Sequence, residues 1–300
     1  MRFSKWLFAA ALAFCSLNLG QTQTSNGTPQ PIGELVNVGG YRVHLYCIGA
    51  GGPTVIITGA GYSFDWSLVQ PEVAKFTRVC AYDHSGTAWS DSGPKDTCSL
   101  RVGEIHSALR HAHVLGPYVL VGHSLGALVS RLYAAKYADD VAGMVIVDHA
   151  TQPVPIGMTG PQGVPPSARG LPPSAGIRPD PGTGFRKLPE HDYQLHLWAD
   201  AQPRIAQVME RNLEMVSECS AEVKTATQNE GVPLGDRPLV AASQSATERL
   251  HMQLLALSLD SKLVVAANSG HLVMVDRADV VTEAIREVVD AVRNHARLKR

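Results

Sequence analysis

From residue 36 onward the chain alternates short apolar runs with longer stretches of helical spacing. VNVGGYRVHLYCI (36–48) reads as two β-rich runs around Gly39-Gly40, a hairpin. TVIIT (54–58) is a short, fully apolar strand that stops at Gly59-Ala60-Gly61. Apolar residues then recur at helical spacing over 66–76, and TRVCAY (77–82) is the next strand. A helix is expected over 99–115, punctuated by Gly116-Pro117. YVLV (118–121) is a strand that runs straight into Gly122, a helix follows over 125–137, and AGMVIV (142–147) is a strand closed by Asp148. Continuous apolar strands between amphipathic helices imply a mostly parallel sheet covered on both faces. An all-α or all-β chain does not read this way.

The rhythm breaks after residue 153. Residues 153–189 are dense in Pro and Gly and have no period, as expected of a lid, a binding loop or disorder. Helical spacing returns over 190–225, with Leu195, Leu197, Trp198, Ile205, Val208, Met209, Leu213 and Val216. From 237 the α/β pattern resumes: a strand over 238–242, a helix over 248–259, a strand over 262–267 and a closing helix over 279–295. The expected organisation is one α/β core (33–152 and 236–300) interrupted by a cap or lid insertion (153–235).

The N-terminus has its own pattern. Arg2 and Lys5 precede an apolar run over 6–19, and polar QTQTSNGTPQ follows. The run matches a signal-peptide core and is shorter than the ~20 residues a membrane helix needs. A signal peptide over 1–20 is expected, with export to the periplasm or outside and no stable membrane span after cleavage. A lipoprotein signal wants a small residue before its Cys, and Phe14 precedes Cys15. The mature chain keeps Cys47, Cys80, Cys98 and Cys219, an even number that an oxidising compartment allows to pair in three ways.

Composition adds limits. Of 300 residues, 45% are hydrophobic and 18% charged, which fits a globular chain with a sizeable core. Lys and Arg number 26 against 27 Asp and Glu, so the basic footprint of a nucleic-acid binder is missing. No HExxH, CxxC or GxxxxGK[ST] occurs, so no metal, nucleotide or other cofactor is expected.

The chemistry sits at strand ends. Gly122-His123-Ser124-Leu125-Gly126 is a G-x-S-x-G between a strand and a helix. A serine projecting from so tight a turn crowds its neighbours, and Gly on both sides removes the Cβ atoms that would clash. Ser124 is the candidate nucleophile, and the Leu125 N–H at the start of the helix is a candidate oxyanion donor. A second donor is expected from the turn after TVIIT, at Ala60 with Gly61 next. Ser269-Gly270-His271 follows a strand and precedes the closing helix, and His271 is the candidate general base. Two carboxylates compete to orient it: Asp148, at a sharp strand end, and Glu248, after the next strand. His111 and His113 stand two apart on a helix and face away from each other. His123 and His149 read as packing or supporting residues, and His44 reads as a surface residue of its strand.

In five segments the chain resembles the α/β-hydrolase superfamily in its lipase/esterase-like form: GAGYSFDW (59–66), RVCAYDHSGTAWSD (78–91), VGHSLGALVSRLYAAKY (121–137), VIVDHA (145–150) and NSGHLVMVDRADVV (268–281). The resemblance covers about 33–152 and 236–296. It implies an eight-stranded, mostly parallel sheet flanked by helices, with a helical cap after the sixth strand. It also implies Ser124 as nucleophile, His271 as base, and the Ala60 and Leu125 backbones as oxyanion hole. Two positions depart from the family pattern. The acid often follows the seventh strand, where SQSATE (243–248) has no Asp, and Asp148 fits the variant with the acid after the sixth. Thr58-Gly59 stands where His-Gly is more usual. The family's second strand runs antiparallel beside its fourth, which implies a Cys47–Cys80 disulfide.

The function this implies is hydrolysis of a carboxylic ester, or a related acyl bond, in a small-molecule substrate through an acyl-enzyme. Epoxide hydrolase and dehalogenase chemistry wants a carboxylate where Ser124 stands. Two other readings remain: a non-catalytic relative that binds a small molecule beneath the cap, and an interaction protein that uses the Pro/Gly-rich insertion. The apolar face around Trp198 suggests an acyl or aromatic group.

Overall fold

The apolar runs become strands β1 (Glu34–Asn37), β2 (Arg42–Ile48), β3 (Thr54–Ile57), β4 (Val79–Asp83), β5 (Tyr118–His123), β6 (Val141–Val147), β7 (Leu239–Ser243) and β8 (Ser261–Val265). They form one eight-stranded sheet in the order β1-β2-β4-β3-β5-β6-β7-β8. β2 pairs antiparallel with both β1 and β4, and every other pairing is parallel. The computed structural model describes residues 27–59, 61–149, 184–244 and 253–299. The expected signal segment, Ala60, the first part of the insertion and Glu248 lie outside the described residues. Pro31–Arg300 form one compact unit.

Side chains alternate across each strand, and both faces are dry. Ile56, Leu120, Ile146 and Ala241 point to one side and pack beneath α2 (Cys98–His111), α3 (Leu125–Lys136) and α5 (Ile205–Thr227). Val55, Ile57, Val119, Val121, Val145, Val147 and Val240 point to the other, under α1 (Gln70–Ala74) and the closing helix α6 (Ala278–Arg293). Helix α6 buries Val281, Ala284, Ile285, Val288 and Val289, the stripe that a 3.6-residue period lays along one face. The helix expected over 66–76 divides into a 3₁₀ turn (Ser63–Trp66) and α1. Pro71 lies in the first turn of α1, where its missing N–H costs nothing.

The described part of the insertion lies between β6 and β7. It holds a 3₁₀ turn (Phe185–Lys187), α4 (Glu190–Asp200) and α5. Pro203 stands in the break between the two helices, since it could not donate to a continuous one. An apolar cluster of Tyr62, Phe64, Trp89, Leu195, Ala199 and Ile205 seats α4 on the core. The Trp198 ring lies 5.1 Å from that of Trp89, so this apolar face docks the insertion. Helix α5 is tied to α2 by a Cys98–Cys219 disulfide and by bonds from Ser99 to Glu222 and from Arg101 to Asn212. The second disulfide, Cys47–Cys80, joins a directly opposed pair on β2 and β4, as the resemblance implied.

His44 is a correction. The sequence reads it as a surface residue of its strand, yet it is wholly buried. Its strand lies inside the sheet between β1 and β4, and the Trp89 ring covers it at 4.6 Å. His44 Nδ1 donates to Asp83 Oδ2 at 2.7 Å, while its Nε2 accepts the Gly33 N–H at 3.0 Å.

Candidate active site

Strand pairing brings the candidate residues together. The ladders continue past the strands: Thr58 N donates to Val121 O (2.8 Å), Ser124 N to Val147 O (3.2 Å), Asp148 N to Ala242 O (2.8 Å) and Ala266 N to Ser243 O (2.8 Å). The turn after β3, Ser124, Asp148, Ser243 and the loop carrying His271 therefore all leave the same edge, at the carboxyl ends of neighbouring strands. Ligand sites of open α/β sheets lie at such edges, where the strand order reverses.

Ser124 is half-buried between β5 and α3, with φ 54° and ψ −124°. Non-glycine residues rarely adopt a positive φ, and the strain costs about 1–3 kcal/mol unless the surroundings enforce it. Here they do. A Cβ on Gly126 would fall 1.4 Å from Thr58 O, and one on Gly122 would fall 2.6 Å from Ala127 Cα. The two glycines thus let α3 start hard against the end of β3. Thr58, buried, locks this approach, with its hydroxyl 3.0 Å from Gly126 O and 2.6 Å from Ser130 Oγ. That contact gives a physical role to the threonine found where His is more usual. Leu125 opens the helix, so its N–H has no intrahelical acceptor and is available beside Ser124.

His271 Nδ1 donates to Asp148 Oδ2 at 2.6 Å. Asp148 is buried and also accepts from Ser243 Oγ (3.2 Å), Gln244 N (3.3 Å) and Gln244 Nε2 (3.0 Å). Burial pushes its carboxyl up, but the His271 hydrogen bond and charge and the Gln244 N–H outweigh this and hold it below the usual carboxylate range. An ionised Asp148 requires the proton on Nδ1, which leaves Nε2 of the half-exposed His271 with a free lone pair. The His271 loop is fastened from three sides. His123 Nε2, from the residue before Ser124, donates to His271 O at 2.8 Å, and the two rings lie 4.6 Å apart. Gly270 N donates to Asp276 Oδ2 at 2.8 Å, and Arg277 Nη1 donates to Ala267 O at 2.9 Å.

Among the sequence candidates, the fold gathers Ser124, Leu125, Asp148 and His271 at one edge. Ala60 and Glu248 lie outside the described residues. Sequence reasoning missed Gln244, Asp276 and the anchoring part of His123. Gln244 carries a weak signal, since it stands right after β7, where the family often has its acid. Among the described residues no three His, Cys, Asp or Glu side chains are grouped to hold a metal ion. Nor is any described helix long and apolar enough to cross a membrane.

The eight-stranded, mostly parallel sheet flanked by helices, with a serine at the turn from β5 into α3, is the architecture of one class of protein. The alpha/beta hydrolase family model matches residues 49–284, and the chain belongs to that family. It is 27% identical over 250 residues to the uncharacterized protein YqjL of Bacillus subtilis, covering 80% of this chain and 85% of that one. It is 32% identical over 138 residues to an uncharacterized protein of Schizosaccharomyces pombe, covering 36% of this chain and only 26% of that longer one. It is 29% identical over 121 residues to the 2-hydroxy-6-oxo-2,4-heptadienoate hydrolase of Pseudomonas putida, covering 39% of this chain and 44% of that enzyme. The solved meta-cleavage product hydrolase CumD of Pseudomonas fluorescens shares the fold, with TM-score 0.63 and 17% identity over 88% of this chain and 98% of that one.

Proposed function

We propose that the chain is an exported serine hydrolase that cleaves a carboxylic ester of a small molecule through an acyl-enzyme. Ser124 Oγ attacks the acyl carbon as its proton passes to His271 Nε2. The carbonyl oxygen becomes an oxyanion held by the Leu125 N–H and by an N–H of the turn after β3, at Ala60. The intermediate collapses, the C–O bond breaks, and His271 returns the proton to the leaving alcohol. Water then attacks the acyl carbon with His271 again as base, and Ser124 is released. Asp148 fixes the tautomer of His271 and balances its charge when protonated.

The observation that carries this reading is the 2.6 Å bond between Asp148 and His271, made beside the strained turn of Ser124. The hydrolase relatives in the family support the broader class. Export is supported by the two disulfides, which persist in oxidising compartments, and by the charged-then-apolar N-terminus.

The test is hydrolysis of p-nitrophenyl esters from acetyl to long acyl chains, by the wild-type chain and by Ser124→Ala. Activity lost in the variant is the expected result, and the preferred chain length would size the acyl pocket. Equal activity in both would remove Ser124 from the mechanism. Secretion is read by N-terminal sequencing of the protein recovered outside the cytoplasm; an intact Met1 on all of it would refute cleavage.

A further inference from the structure

Two buried Asp–His pairs stand behind the turn that follows β3, and they come from different places. Asp83 Oδ1 accepts the Ser63 N–H at 2.7 Å, and its Oδ2 takes His44 Nδ1 at 2.7 Å. Both partners of that pair belong to the sheet. Asp65 Oδ2 accepts the neighbouring Tyr62 N–H at 2.9 Å, and its Oδ1 takes His196 Nδ1 at 2.8 Å. His196 belongs to α4, in the insertion. Two consecutive backbone N–H groups are thus held by two carboxylates, one fixed from inside the core and one from above it.

The second pair sits directly against the turn. Gly61 has φ +104°, and a Cβ there would lie 2.6 Å from Asp65 Oδ2. The carboxylate therefore forms a wall of the turn. Asp65 is fully buried, so its second oxygen needs a donor, and His196 supplies it. Burial pushes the Asp65 carboxyl up, and the His196 bond and charge pull against that. The His196 ring is fixed in turn by Phe185, stacked at 4.0 Å, and by the Tyr62 ring edge at 5.6 Å. Asp200, also on α4, accepts from Tyr62 OH at 3.3 Å. The same stretch reaches the histidine loop, because Lys187 Nζ lies 2.5 Å from Asp276 Oδ1, on the carboxylate that holds Gly270 N.

We infer that Asp65 and His196 are positioning residues that set the oxyanion-binding turn after β3, so that the docking of α4 completes the hole. The inference rests on the serine-hydrolase reading. Without the His196 donor, the Asp65 carboxylate is left buried and half-satisfied, and it relaxes away from Tyr62 N and Gly61. Gly61 and Tyr62 then lose their support, and the loss passes to the oxyanion-binding N–H that the proposed mechanism assigns to this turn. The loss appears in the transition state, where the oxyanion forms, and hardly in substrate binding.

Three variants separate the hydrogen bond from the packing. His196→Phe keeps the stack on Phe185 and removes the donor. His196→Asn shrinks the ring but keeps an N–H where Nδ1 stood. His196→Gln, whose amide sits one atom further out, replaces the Phe variant if that chain does not fold. The readouts are kcat and KM on the best p-nitrophenyl ester, inhibition by a boronic acid that forms a tetrahedral adduct on serine, and labelling of Ser124 by a fluorophosphonate.

For His196→Phe, or Gln in its place, kcat should fall about 10–100-fold with KM within about twofold. Boronate affinity should fall in parallel, and His196→Asn should recover most of both. A kcat within about twofold of wild type in the folded Phe or Gln variant would overturn the inference. So would equal losses in that variant and in the Asn variant, since packing alone would then explain them. If the wild-type chain takes no fluorophosphonate on Ser124, the serine-hydrolase reading itself fails, and the inference with it.

Discussion

Asp148→Asn is the sharpest test of the site, because the hydrogen bonds around Asp148 dictate how an amide must sit. Oδ1 accepts from Ser243 Oγ and Gln244 N, and Oδ2 accepts from His271 Nδ1 and Gln244 Nε2. An Asn nitrogen at the Oδ1 position would face the Gln244 backbone N–H, which cannot turn around. At the Oδ2 position it faces two groups that can: the Gln244 amide flips, and His271 moves its proton from Nδ1 to Nε2. The second arrangement satisfies every donor, and it is the wrong one for catalysis. In the proposed mechanism, a His271 protonated on Nε2 cannot accept the Ser124 proton, and the charge that would stabilise its protonated form is gone. In the Ser-His-Asp template this substitution costs roughly 10⁴ in kcat. The partial exposure of His271 lets solvent supply some of the stabilisation, so a fall of about 10³–10⁴, or about 4–5.5 kcal/mol of transition-state free energy, is expected here. The assay is kcat and KM on the best p-nitrophenyl ester, with thermal unfolding to show that the variant is folded and with Glu248→Gln in parallel. A folded Asp148→Asn retaining more than about a tenth of wild-type kcat would refute the reasoning. A comparable loss in Glu248→Gln would transfer the role to that residue.

Gly126→Ala should prevent folding or cost more than about 4 kcal/mol by urea unfolding, because its methyl would lie 1.4 Å from Thr58 O; a soluble variant of near-native stability would contradict the packing described. His84 is buried, and burial and then Arg101 hold it down at about 3, below its ordinary value; burial and then Arg131 hold His149 at about 4. In this pH range the unfolded chain binds protons that the folded chain refuses, so stability is intact above about pH 6.5 and falls as pH drops. The expected slope is on the order of 1.4 kcal/mol per pH unit for His84 alone, flattening in His84→Gln, and an unchanged slope in that variant would count against it. Replacing Cys98 and Cys219 together by Ala opens a link across 121 residues and should destabilise by about 2–5 kcal/mol in calorimetry under oxidising conditions; no change in unfolding temperature would argue that the thiols are not paired.

What the sequence made legible was whatever has a local cause. The glycines around Ser124 announce a tight turn, and Gly122 meets Ala127 within it, whereas the contact that requires Gly126 is with Thr58, on another strand end. Asp148 could be named because a strand end is visible in the sequence and parallel strands align their ends. Cys47–Cys80 followed from the order of strands that the family resemblance implied. His44 was misread because one strand's sequence says nothing about what lies over each of its faces, and Trp89, forty-five positions on, covers it. Cys98–Cys219 and Asp65–His196 depend on where the insertion settles, which no local period encodes. Gln244 was overlooked for a subtler reason. The seventh strand was searched for an acid, whereas its end supplies donors to an acid on the strand beside it.

The alignment of strand ends has a consequence for how the chain comes to life. Asp148 and His271 are 123 positions apart, and the bond from His123 to the His271 carbonyl spans 148. The candidate residues follow β5, β6, β7 and β8 in turn, so no hairpin or helix pair contains the site. Closing such loops is slow and is repaid only when the last strand docks. Under the proposed mechanism, the chain carries during synthesis or refolding a serine whose base arrives only when β8 has joined β7. The sheet acts as a safety catch, and the return of activity is a clock for its final strand. Activity recovered before β8 is protected from hydrogen exchange would mean that the catch releases earlier than this architecture allows.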